Sequence, residues 1–166
     1  MRASDLSEPQ RNTLIFLRLS IGWHFLYEGV LKLYDPSWTA KAYLLSAEGP
    51  FERMFHWLAT DGTISVINYL NVIGLIAIGL GLVLGLLERP AALAGVVLLG
   101  FYYLSHPPLA GASVPGAEGN YWLVNKNLIE ALALLVIYQL PTSYHFGLEP
   151  LLRNYRSTLK PQGHGK

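Results

Sequence analysis

Apolar residues gather into four runs, about 12–33, 66–87, 90–105 and 121–140, and the breaks between them are charged or proline-rich. Asp35-Pro36 follows the first run, Glu88-Arg89 separates the second from the third, and Pro107-Pro108 and Pro141 close the third and fourth. A bilayer core takes about 20 apolar residues of helix, so three of the runs have spanning length. The third is shorter, but the proline pair stops it firmly. Lipid offers backbone amides no partner outside a helix or a closed barrel, so the runs are predicted to be helices. The pattern predicts an all-α, integral membrane four-helix bundle forming a single domain over 1–166. An outer loop occupies 34–65 and a cytoplasmic tail 141–166.

The outer loop is patterned too. In "DPSWTAKAYLLS", Asp35 is expected as an N-cap with Pro36 at the first helical position. In "GPFERMFHWLATDG", Phe51, Met54, Phe55 and Leu58 recur at helical spacing as one apolar stripe. Trp38, Tyr43 and Trp57 suit a headgroup region, so two short interfacial helices are expected there. The second run contains Gly74, Gly79, Gly81 and Gly85, small residues that let helix backbones approach closely in lipid.

Composition sharpens this picture. Of the 166 residues 52% are hydrophobic and only 14% charged, against about a quarter charged in a soluble domain. The net charge of +1 carries no nucleic-acid footprint, and the absence of cysteine removes thiol redox chemistry and thiolate metal ligation from this chain. Arg2, Arg11, Arg89, Arg153, Arg156, Lys160 and Lys166 fall on one side of the four-span topology, with only Lys41 and Arg53 in the first loop opposite. That bias places both termini in the cytoplasm of a multi-pass inner (cytoplasmic) membrane protein. The first run has the length and internal charges of a retained span rather than a signal peptide.

Those internal charges are the chemically informative feature. In "RLSIGWHFLYEGVLKL", Arg18, His24, Glu28 and Lys32 fall within an arc of about 120° on a helix. In "NKNLIEALAL", Lys126 and Glu130 are i, i+4 neighbours with Asn127 beside them. Counting residues along the runs brings His24, Glu28, Lys32, Asn71, Tyr102, Lys126, Asn127 and Glu130 to one level in the outer half of the membrane. Glu28, Lys32, Lys126 and Glu130 sum to zero charge, which lowers the cost of burying them together. Two readings stand: the network lines a small-molecule pocket, or it clamps the first helix against the fourth. Arg18 has no acidic partner at its depth in this scheme, leaving it to snorkel or to meet a ligand or another subunit. The histidines lack metal-ligand spacing, and no metal site is predicted.

"RLSIGWHFLYEGVLKL", "GLGLVLGLLERPAA", "NKNLIEALAL" and "GLEP" together resemble the DoxX family, including the DoxD-type membrane subunit of thiosulfate:quinone oxidoreductase. The resemblance spans about Arg18 to Pro150. It implies a four-helix membrane protein in a redox system, with quinone as electron acceptor and a separate partner subunit. Glu28, Lys32, Asn127 and Glu130 match its recurring polar positions, without established catalytic roles.

For a quinone, Lys32 or Lys126 offers a donor, Glu28 or Glu130 a proton relay, and Tyr102 or Tyr103 a stacking face. The sequence carries no motif for an intrinsic redox cofactor, so another subunit is expected to supply the electrons. The competing expectation is a non-catalytic assembly or anchoring subunit of a larger membrane complex. A small transporter fits less well, since neither broken helices nor repeated halves appear.

Overall fold

The computed structural model describes residues 6–108 and 120–150. The basic residues Arg2, Arg153, Arg156, Lys160 and Lys166, on which much of the orientation argument rests, lie outside them. The described chain is mostly helical. In order come α1 (Glu8–Tyr34), α2 (Lys41–Leu45), α3 (Glu52–Leu58), α4 (Ile64–Leu84), α5 (Glu88–Ser105), the two-residue strands β1 (Asn120–Tyr121) and β2 (Val124–Asn125), and α6 (Lys126–Gln139).

Local chemistry sets the ends of these elements. At the start of α1 the Gln10 side chain accepts the Ser7 backbone N–H at 2.9 Å, with Pro9 in the first turn. α4 ends at Gly85, whose φ of +62° is left-handed and favours glycine. α6 is capped by Asn125, whose side chain accepts the Leu128 N–H at 3.0 Å. Asp35 does not cap the first loop helix. Its carboxylate accepts the backbone N–H of Ser37 at 2.9 Å and the Ser37 hydroxyl at 2.6 Å, forming a turn that ends α1, and α2 starts six residues later. These bonds hold the exposed Asp35 carboxyl below its ordinary pKa.

The four long helices pack in a ring: α1 on α4, α4 on α5, α5 on α6, and α6 back on α1. Their shared core contains Phe25, Leu75, Ile78, Leu82, Leu99 and Leu134. Glycine brings α1 and α4 close. A Cβ at Gly79 would lie 2.5 Å from the Leu26 backbone nitrogen, and one at Gly22 would lie 2.9 Å from Leu82 Cβ. The loop helices form a second, smaller core around Phe55, Leu44, Ala47 and Ala59. Of the expected apolar stripe, Phe55 is buried and Leu58 is half-buried against the same core, while Phe51 and Met54 face outward.

Among the described residues two helices, α1 and α4, are long and apolar enough to cross a membrane. Only 28% and 22% of their most apolar windows are buried inside the protein, so their apolar faces point outward rather than into a soluble core. The third predicted span starts two residues earlier than expected, on charged residues, and the fourth comes out shorter. α5 opens on Glu88 and Arg89, and the 14 residues of α6 reach about 21 Å, short of the roughly 30 Å of a bilayer core. The fourth run was expected from 121, but a tight β-hairpin takes its first residues, turning at Trp122 with φ +56°.

Arg18 corrects the sequence reading most sharply. It is fully buried, and its Nη1 lies 3.3 Å from Glu88 Oε2, on a carboxylate that is itself buried. Arg18 Nη2 donates to the Phe146 carbonyl at 2.6 Å. Glu88 also accepts the backbone N–H groups of Thr142 and Ser143, at 2.9 and 2.6 Å. This cluster fastens the segment after α6 to α1 and α5. Arg18 neither snorkels nor awaits a ligand, because the acid at its depth is the one expected in a surface turn.

Candidate functional site

At the end of the ring that carries α2 and α3, the long helices enclose a cavity of about 530 Å³. α1 contributes His24, Glu28 and Lys32, α4 contributes Asn71, α5 contributes Tyr102, and α6 contributes Lys126 and Asn127. Of the eight residues singled out from the sequence, seven therefore line one space. Glu130, the eighth, stands behind His24 and accepts its Nδ1–H at 2.7 Å. α2, α3 and the residues before α2 cover the cavity with Trp38, Tyr43, Leu44, Phe55 and Leu58.

The ion pairs differ from those expected. Lys126 and Glu130 do not pair along α6; Glu130 turns to His24 on α1 and ties the two helices together. Glu28 pairs with Lys32 one turn away, at 3.4 Å. The Lys32 ammonium also lies 5.3 Å from the centre of the Trp38 ring, a cation–π contact. Among the described residues Lys126 makes no ion pair. The cavity wall therefore holds one compensated carboxylate–ammonium pair and a further cation.

Opposite, Asn71 Nδ2 donates to the Tyr102 hydroxyl at 2.7 Å. The Tyr102 O–H proton remains available as a donor. Asn71 Oδ1 is buried and has no hydrogen-bond partner among the described residues. A buried acceptor left unpaired costs roughly 1–3 kcal/mol, which a ligand donor in the cavity would offset. Tyr103, expected as an alternative stacking face, instead donates its hydroxyl to the Leu123 carbonyl at 2.9 Å, bracing the hairpin.

The lid is fixed by groups the sequence reading did not connect. The Tyr43 hydroxyl and Ser105 Oγ are 2.8 Å apart, Ser105 Oγ lies 3.1 Å from His106 Nδ1, and His106 Nε2 lies 3.2 Å from Ser46 Oγ. The Tyr43 and His106 rings pack with centroids 4.4 Å apart. Burial pushes the Tyr43 phenol above its ordinary pKa, against the opposing pull of its bond to Ser105. The far edge of the loop is pinned by Lys41, whose ammonium lies 2.7 Å from Asp61 and holds that exposed carboxyl below its usual range. Trp38 and Tyr43 had a sequence signal, as aromatics suited to an interface. Ser105 had only its place before the proline pair.

No metal-binding cluster of three or more acidic, histidine or cysteine side chains occurs among the described residues. Compared with known proteins, residues 13–107 match the family described as DoxX. No curated protein and no solved structure matches the chain.

Proposed function

Because the chain belongs to the DoxX family, we propose that it is an integral four-helix membrane subunit of a redox complex, with a quinone site in the cavity between its helices. Family membership and the outward apolar faces of α1 and α4 make it a membrane protein. The proposal adds that α5 and α6 complete the membrane bundle, that the membrane is the inner one, that both termini are cytoplasmic, and that the cavity lies in its outer half.

The observation that carries the reading is the cavity itself. Its volume falls within the roughly 300–1,000 Å³ of small-molecule sites, and apolar walls there surround a few converging polar groups. A quinone ring fits this donor set. The Tyr102 hydroxyl and the Lys126 ammonium donate hydrogen bonds to the quinone carbonyls, Asn71 Oδ1 accepts one from a hydroxyl of the reduced quinol, and Phe25, Leu75 and Leu99 flank the apolar body. The quinone supplies a two-electron, two-proton acceptor when bound. Glu28, held ready by Lys32, is the group placed to pass a proton, and a partner subunit delivers the electrons.

The test is quinone binding by the purified chain and by its complex. Glu28→Gln and Lys126→Met are expected to lose quinone while the complex stays assembled. A second reading, a non-catalytic assembly or anchoring subunit, draws on the His24–Glu130 bond, which joins α1 to α6 as a clamp. Under that reading the same variants lose the partner subunits, and quinone never co-purifies.

A further inference from the structure

The face of α4 that meets α5 can be followed along the helix. Gly81, Gly74 and Ile67 are spaced by seven residues, so each lies within about 20° of the next. At Gly81 a Cβ would come 2.8 Å from the Ala91 Cβ of α5, so the helices touch there. At Gly74, about 10 Å nearer the α2–α3 end, a Cβ would meet no atom within 4 Å. The two helices are joined by the short turn after Leu84, and beyond the open space at Gly74 the Asn71–Tyr102 hydrogen bond bridges them.

The residues one turn and two turns from Gly74 border the cavity. Ile67 and Leu70 of α4 and Phe101 of α5 all line that space. Leu70 is nevertheless 59% exposed and Phe101 45% exposed, so the same side chains also reach the outer surface of the ring. The opposite wall is polar, with Glu28, Lys32 and Lys126. The cavity is thus two-faced: its charges stand on α1 and α6, while α4 and α5 add the neutral Asn71–Tyr102 pair and the apolar Ile67, Leu70 and Phe101.

We propose that the gap between α4 and α5 is a lateral portal, through which the apolar tail of a membrane-dissolved amphiphile passes from the cavity into the bilayer while its polar head rests on the α1–α6 wall. This rests on the reading of the cavity as a quinone site. A tailed quinone reaches the site from the lipid, and its tail lies past Gly74 and Leu70.

The open space at Gly74 supplies the test. Gly74→Trp puts bulk into the gap from a Cβ that meets no neighbour within 4 Å. Gly100→Trp is the control, because Gly100 also has nothing within 4 Å but lies about 160° around α5 from Tyr102, away from the cavity. Binding of decylubiquinone and of its tail-less headgroup to the full-length protein in detergent micelles is read by isothermal titration calorimetry. Gly74→Trp is expected to weaken decylubiquinone by about tenfold, the equivalent of roughly two displaced methylenes, and to leave the headgroup within about twofold. Gly100→Trp is expected to change neither. Equal weakening of both probes, or a Gly74→Trp protein that binds like Gly100→Trp, overturns the portal and leaves the quinone site standing. Failure of the wild type to bind either probe overturns the quinone site and the portal together.

Discussion

Replacing Arg18 with methionine removes the cation from a carboxylate that has almost no contact with solvent. Arg18 is fully buried and Glu88 only 2% exposed. Without Arg18, Glu88 keeps neutral donors only, the N–H groups of Thr142 and Ser143 and the Thr142 hydroxyl. Breaking a buried pair from one side costs about 3–5 kcal/mol. The Phe146 carbonyl also loses its 2.6 Å donor, but the two losses belong to one cluster and do not add. The expected cost is about 4 kcal/mol, read from equilibrium unfolding in mixed micelles. Arg18→Met/Glu88→Gln removes both charges and should be more stable than the sum of the single losses by about 2 kcal/mol. An Arg18→Met protein within about 1 kcal/mol of wild type, or a strictly additive double variant, would refute the idea that this pair anchors the segment after α6.

Three further outcomes follow from the packing and the lid. Gly79→Ala should destabilise by about 1–3 kcal/mol, because its Cβ meets the α1 backbone at Leu26, whereas Gly74→Ala should stabilise by up to about 1 kcal/mol; parallel unfolding curves check the contrast. His24→Ala and Glu130→Ala should show coupling in a double-mutant cycle, since the 2.7 Å bond between them joins α1 to α6, and additive losses would remove the clamp. For Tyr43 the folded-state pKa is raised, so the lid's stability is fully present below about pH 10 and is lost as pH rises through the folded value. Limited proteolysis of the loop across that window should show it loosening in wild type but not in Tyr43→Phe.

The gross architecture was legible because bilayer physics writes itself into local sequence. The apolar runs of α1 and α4 are set by length and composition, and the polar stripe of α1 by its 3.6-residue period. Counting along the runs was enough to bring His24, Glu28, Asn71 and Tyr102 to one level. What sequence could not give was partnership across the fold. Glu88 looked like a surface turn residue, and nothing local reveals that a chain segment more than fifty residues later covers it and that Arg18 meets it there. The same limit explains the pairing of Glu130 with His24 rather than Lys126: an i, i+4 neighbour is visible in sequence, while a facing helix is not. The early start predicted for the fourth helix had a different cause. Tyr121 to Val124 are apolar enough for a span, but a left-handed residue at Trp122 turns them into a hairpin. The gap beside Gly74 was likewise hidden, because a glycine that packs and a glycine that opens a space look alike in a helix.

The charged and polar residues between the helices are proposed to hold a quinone. The most direct measurement is native mass spectrometry of the protein released gently from its own membrane, recording quinones and co-purifying subunits together. A stoichiometric quinone is expected on the wild type and is lost from Glu28→Gln and Lys126→Met, with the partner subunits retained by all three. A wild type that carries its partners and no quinone, with variants that lose those partners, would contradict that proposal and make the network a clamp.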